Sequence, residues 1–183
     1  MCIRDRHDTL NVVKQTPDQD FDLLDYFSLD CMLPRVANQT KEGVFQLATE
    51  RLAGRYDDDI SPIIIKTALW EREQMQNTAV GSGVAMPHAT ISRVATGDSS
   101  IAIVTSEQEF DYGTPDGSKV DICFFTMGPP ADRQIHLKIL TYLGRMALDA
   151  GFLKRLRAAT TAEEILEVAR DFVASSGQRE SGA

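Results

Sequence analysis

Two short apolar runs constrain this chain most. Ser100 to Thr105 places Ile101, Ala102, Ile103 and Val104 in succession, and Val120 to Met127 adds Ile122, Cys123, Phe124 and Phe125. Their length and their β-branched and aromatic content favour buried strands over helices. Around them the apolar period is helical. Thr40 to Leu52 sets Val44, Leu47, Ala48 and Leu52 on one face, with Gly54 as a stop. Ser61-Pro62 opens a second helix, with a capping serine and proline at the first helical position. That helix carries Ile64, Ile65, Ala68 and Leu69 inward and ends near Met75. Pro129-Pro130 stops the second strand, and Asp132 caps a helix that runs through Asp149. Thr161 to Glu164 is a capping box for a last helix through Val173. Cys31 to Val36 is an early strand weakened by Pro34. Helices interleaved with strands predict an α/β fold, a central sheet flanked by helices. The close spacing of the middle strands makes that sheet mixed rather than purely parallel.

The domain fits within the chain's 183 residues. Residues 1–20 read as an N-terminal tail, of which 1–6 match nothing else and read as a scar. The domain occupies 21–174, and the small polar stretch 175–183 reads as a disordered C-terminal tail. A net charge of −8 disfavours general nucleic-acid binding. No apolar run reaches the roughly 18 residues of a membrane span, so no stable membrane insertion is expected. Cys2, Cys31 and Cys123 form no CxxC pair and no cluster with histidine, which argues against a disulfide scaffold or zinc site. Cys123 reads as a small buried hydrophobe, and a reducing cytoplasm is the simplest compartment.

Of the three histidines, two carry the candidate chemistry. His7 lies beside the odd N-terminus and is given no role. His88 follows Gly81-Ser82-Gly83 and Pro87. Glycines permit close backbone approach, and turn amides can gather an anion, so the site suits a histidine that meets an anion. A plain turn with a half-buried histidine fits the spacing as well. His136 sits one turn into its helix, with Leu140, Leu143 and Ala147 at helical spacing behind it. A helix start presses its pKa down and favours the neutral ring, although a satisfied core histidine is equally consistent. Arg72, between Glu71 and Glu73, is either a solvated helix charge or a bidentate clamp on phosphate.

Taken together, Arg72-Glu73, the Gly81-Ser82-Gly83 turn and Val84-Ala85-Met86-Pro87-His88-Ala89 resemble the signature of type-2 enzyme IIA. That is the fructose/mannitol class of the bacterial phosphoenolpyruvate-dependent phosphotransferase system. The resemblance continues through Asp116-Gly117, Val120-Asp121-Ile122, Pro130-Ala131, His136-Leu137, Leu140 and Arg145, and covers roughly Phe21 to Val173. It implies the type-2 enzyme IIA fold, with His88 as the phosphorylated histidine, His136 as the second active-site histidine and Arg72 beside the phosphate. Thr78, Gly81 and Gly83 would line the phosphate, with no metal and no cofactor. The chain departs from the family at Gln76-Asn77-Thr78-Ala79, where Gly-Ser-Thr-Gly is frequent, and at Ala89-Thr90, where the nitrogen-regulatory branch has Gly-Lys.

The resemblance implies a cytoplasmic phosphocarrier that accepts phosphate from an HPr-like carrier protein. The nitrogen-related regulatory branch is favoured, since no transporter helices or second carrier domain are attached. A sugar-specific component serving a fructose or mannitol permease is the alternative within the family. Outside it stands a regulatory module that docks on target proteins without onward transfer. A metal hydrolase built on His88 and His136 would lack a third ligand at motif spacing.

Overall fold

A computed structural model of the chain describes residues 21–180, apart from 38, 58, 96 and 97. The N-terminal tail, with Cys2 and His7, therefore lies outside the described residues, as do 181–183. Strand β1 spans Phe27–Val36 and is followed by helices α1 (Lys41–Ala53) and α2 (Pro62–Met75). Three short strands come next, β2 (Ala79–Gly81), β3 (Val84–Ala85) and β4 (His88–Thr90). The long strands β5 (Ser100–Asp111) and β6 (Lys119–Gly128) lead to helices α3 (Arg133–Leu148), α4 (Ala150–Ala158) and α5 (Ala162–Glu180).

All six strands form one sheet in the order β1-β5-β6-β3-β2, with β4 continuing along β6 beyond β3. β5 and β6 pair antiparallel, while β1 on β5, and β3 and β4 on β6, are parallel. The sheet is mixed, as expected. β1 is an edge strand, which is why it tolerates Pro34: its register slips between Leu33 and Val36, and Arg35 takes a φ of 46°. β5 outruns its apolar stretch because its pairing also slips, between Thr105 and Phe110. The exposed Glu107, Gln108 and Glu109 sit in that slip, so hydrophobicity alone stops the strand too early.

The two faces of β6 hold two cores. Ile122 and Phe124 pack with residues of α3, α4 and α5, among them Leu143, Phe152 and Ile165. Cys123, Phe125 and Met127 face α1 and α2 through Phe45, Leu52, Ile65 and Leu69. Cys123 is 1% exposed, the buried hydrophobe its neighbours predict, and burial pushes its thiol pKa up.

Local signals explain most helix ends. The Thr40 side chain accepts from the Gly43 amide at 3.1 Å. Thr161 and Glu164 form the reciprocal box: Oγ1 of Thr161 accepts from the Glu164 amide, and Glu164 accepts from the Thr161 amide. Ser61, expected to cap α2 with its hydroxyl, makes no such bond. Pro62 already removes one orphan amide and presets φ, so the helix starts without it. The last helix runs past Val173 to Glu180, into the stretch read as a C-terminal tail. Ser175 and Ser176 turn their hydroxyls back onto the Phe172 carbonyl, which lets small polar residues stay helical. No helix among the described residues is long and apolar enough to cross a membrane.

Candidate active site

Strand β4 begins at His88. In its parallel pairing with β6, Val84 lies opposite Ile122 and His88 opposite Thr126. Val84 and Met86 belong to the core under α3, so the period of two turns His88 to the same face. Pro87 directs its carbonyl to the Thr126 amide at 3.0 Å, fixing the backbone just before the imidazole. His88 Nδ1 lies 2.9 Å from the Met86 carbonyl oxygen. A carbonyl can only accept, so Nδ1 carries the proton and Nε2 keeps its lone pair. Burial holds the His88 pKa below its usual value, and Arg72 pushes it the same way. The Met86 bond and Glu73 oppose them.

His136 occupies the first turn of α3 and is 9% exposed. Its ring centroid lies 5.8 Å from that of His88, at an interplanar angle of 50°. Burial, aided by the His88 charge, lowers its pKa to about 4, so the ring is neutral at pH 7. Its Nδ1 is buried without a hydrogen-bond partner, and so is the hydroxyl of Thr126 opposite His88.

Arg72 stands in the last turn of α2, half-buried, and donates from Nη1 to the Gln76 carbonyl at 3.2 Å. Its charge is felt at His88. The structure thus brings His88, His136 and Arg72 to one corner, where β4, the start of α3 and the end of α2 meet.

Of the other expected phosphate ligands, the two glycines lie elsewhere, and Thr78 has its hydroxyl engaged. Gly81, Ser82 and Gly83 close the β2–β3 hairpin, with φ of 94°, 54° and 78°. The Gly83 carbonyl accepts from the Asp121 and Ile122 amides, whereas His88 pairs at Thr126. At ~3.3 Å per residue, the turn is about 16 Å from His88 along β6. Its glycines serve the turn and a close approach: a Cβ on Gly83 would stand 2.6 Å from Asp121 Oδ1 and 2.8 Å from Arg157 Nη2. Arg157 donates to both carboxylate oxygens of Asp121 and to the Ser82 carbonyl, tying the hairpin to α4. Thr78 is 6% exposed, and its hydroxyl is taken up by Glu73 at 2.5 Å and Tyr112 at 3.0 Å.

Glu73 escaped the reading of the sequence, beyond its place in the Arg-Glu pair. Its side chain is fully buried and forms an ion pair with Lys41 at 2.8 Å. Both carboxylate oxygens accept from the Thr78 amide, at 3.3 and 3.2 Å. Lys41 lies over the Tyr112 ring, 4.1 Å from its centroid. The signal was present: Ile65, Leu69 and Glu73 recur every four residues, which sets an acid on the buried stripe of α2. Thr126 gave no such signal, because a threonine within a strand is ordinary. Among the described residues, no three histidine, cysteine or acidic side chains gather as a metal site.

Comparison with known proteins matches residues 25–171 to the family described as "Phosphoenolpyruvate-dependent sugar phosphotransferase system, EIIA 2". A nitrogen regulatory protein of Escherichia coli is 26% identical over 157 residues, covering 84% of this chain and 93% of that protein. A fructose-specific EIIA component of Haloferax volcanii is 29% identical over 136 residues, covering 73% of this chain and 85% of the relative. The crystal structure of the nitrogen regulatory protein IIA-Ntr of Neisseria meningitidis superposes with a TM-score of 0.73 at 22% identity, over 80% of this chain and 97% of that one.

Proposed function

We propose a reaction for this site from one premise: the chain belongs to the EIIA type-2 family of the phosphoenolpyruvate-dependent sugar phosphotransferase system, and is a phosphocarrier working through a histidine. In our reading His88 is the acceptor. Its Nδ1–H is engaged by the Met86 carbonyl, so Nε2 attacks the phosphorus of a phosphohistidine on an HPr-like donor. The new P–Nε2 bond forms as the donor's P–N bond breaks, and the donor imidazole leaves with that electron pair. Nδ1 keeps its proton, so no base is required. The neutral His136, whose ring lies 5.8 Å from that of His88, donates to a phosphoryl oxygen. The Arg72 fork holds the remaining charge. The observation that carries this reading is the bond that leaves Nε2 as the free nucleophile.

We further place the chain in the nitrogen-regulatory branch. The likeness to the Escherichia coli regulatory protein over most of both chains supports it. The fructose-specific relative keeps onward transfer to a permease domain as the second reading. Cys31 and Cys123, both buried free thiols, suit a reducing compartment, and we place the carrier in the cytoplasm. We place the domain at residues 21–174. Incubation with labelled phosphoenolpyruvate, enzyme I and a panel of HPr-like carriers tests the carrier reading and its alternative. We expect label on this chain, dependent on one of the carriers. Label that then moves onto a sugar permease domain would favour the second reading, and a chain that takes up no label would sink both.

A further inference from the structure

We infer that Glu73 is a positioning residue for the phosphoryl transfer, acting through an unbroken series of hydrogen bonds that ends on the reacting imidazole. The inference rests on the reading of His88 as acceptor and adds to it what holds that histidine ready. The series begins at Lys41, whose ammonium meets the buried Glu73 carboxylate at 2.8 Å. Glu73 accepts from both the amide and the hydroxyl of Thr78. The Thr78 carbonyl accepts from the Met86 amide at 3.0 Å. The Met86 carbonyl accepts from His88 Nδ1 at 2.9 Å. Thr78 and Met86 each receive the constraint at the backbone amide and pass it on from the backbone carbonyl.

The same carboxylate anchors the second functional group. Glu73 adjoins Arg72 in the last turn of α2, and the chain leaves that turn for β2 through Thr78. One buried anion thus fixes the end of the helix that presents the guanidinium and the strand path that presents the imidazole. A carboxylate suits the task because it accepts several donors at once, and burial strengthens the electrostatic part of each of those bonds. Glutamine at this position keeps the shape but replaces one acceptor oxygen with an NH2 group, which must face either the Lys41 ammonium or the Thr78 amide and so weakens the anchor on Thr78. A merely structural ion pair would affect stability and leave the His88 ring as it is.

The test reads the ring itself. Long-range proton–nitrogen NMR of the unphosphorylated full chain reports which imidazole nitrogen of His88 carries the proton. We expect the Nδ1–H form in the wild type and a mixture of tautomers in Glu73→Gln. Labelling of His88 from the phosphorylated carrier should slow ~10- to 100-fold, the scale of an ångström-sized misplacement. KM for the carrier should stay unchanged. Because Glu73→Gln strands the Lys41 charge and can fail to fold, the neutral pair Lys41→Met/Glu73→Gln is measured beside it. In that double variant stability should recover while the tautomer mixture and slow labelling persist. Wild-type tautomer and wild-type rate in a folded variant of either kind would overturn the inference. A wild-type chain that is labelled elsewhere than on His88, with the tautomer still shifted by Glu73→Gln, would overturn the acceptor assignment and leave the Glu73 linkage standing.

Discussion

His136 is held at a pKa of about 4 by burial and by the neighbouring His88, whereas an unfolded histidine titrates near 6.5. Between those values the unfolded chain binds more protons than the folded one, so stability falls as the solution is acidified. The contribution is complete above pH 6.5 and lost by about pH 4, a fall of roughly 3 kcal/mol for this one group. His88 is displaced in the same direction and adds to the fall. Urea unfolding of His136→Gln beside the wild type checks this: the variant should show a shallower loss between pH 6.5 and 4. Parallel curves would mean that His136 is not buried as a neutral ring. Arg72 calls for a different comparison. Its half-buried guanidinium already spends one donor on the Gln76 carbonyl, leaving the rest of the fork for phosphate. Arg72→Lys keeps the charge and loses the fork, so labelling of the chain should slow nearly as much as in Arg72→Ala, with unfolding midpoints barely moved. A lysine variant at the wild-type rate would reduce the arginine to a simple positive charge.

Elements divide into those with an end signal and those without. The capping box at Thr161 and the Pro62 start locate α5 and α2 from the sequence alone, because a cap or a proline acts locally. The helix α4 is hidden in the sequence because Asp149 reads as the end of α3 and is also the cap of the next helix, accepting from the Phe152 amide at 2.8 Å. The strands β2, β3 and β4 carry no sequence signal because they are two or three residues long and exist through pairing, β3 and β4 on β6 and β2 on β3. The glycine turn meets the same limit. Its residues mark a hairpin, but only the register on β6 shows that the hairpin lies far from His88. Gly83→Ala tests that placement. The positive φ and the approach of Asp121 and Arg157 should cost about 1–3 kcal/mol. Well below the unfolding temperature, labelling should proceed at the wild-type rate. A labelling defect without a stability defect would return the turn to the phosphate site.

The whole molecule does what no local pattern states: it places two histidines far apart in sequence against one another. His88 enters from the sheet and His136 from the first turn of the helix that covers that face. The fold class was legible, since two apolar runs between helical stretches leave few other arrangements, and the motif around His88 marked the corner that matters. What the sequence did not disclose was the buried Lys41–Glu73 pair, because a charged residue on a helix is ordinarily solvated. In the proposed reaction His88 receives the phosphoryl group on Nε2 while Nδ1 stays bonded to Met86. Nitrogen-15 NMR of the phosphorylated chain, recorded with His88→Ala as control, tests it most directly. The expected result is one acid-labile, base-stable phosphohistidine with phosphorus coupled to His88 Nε2, and none in the variant. Phosphorus on Nδ1, or full labelling of His88→Ala, would contradict it.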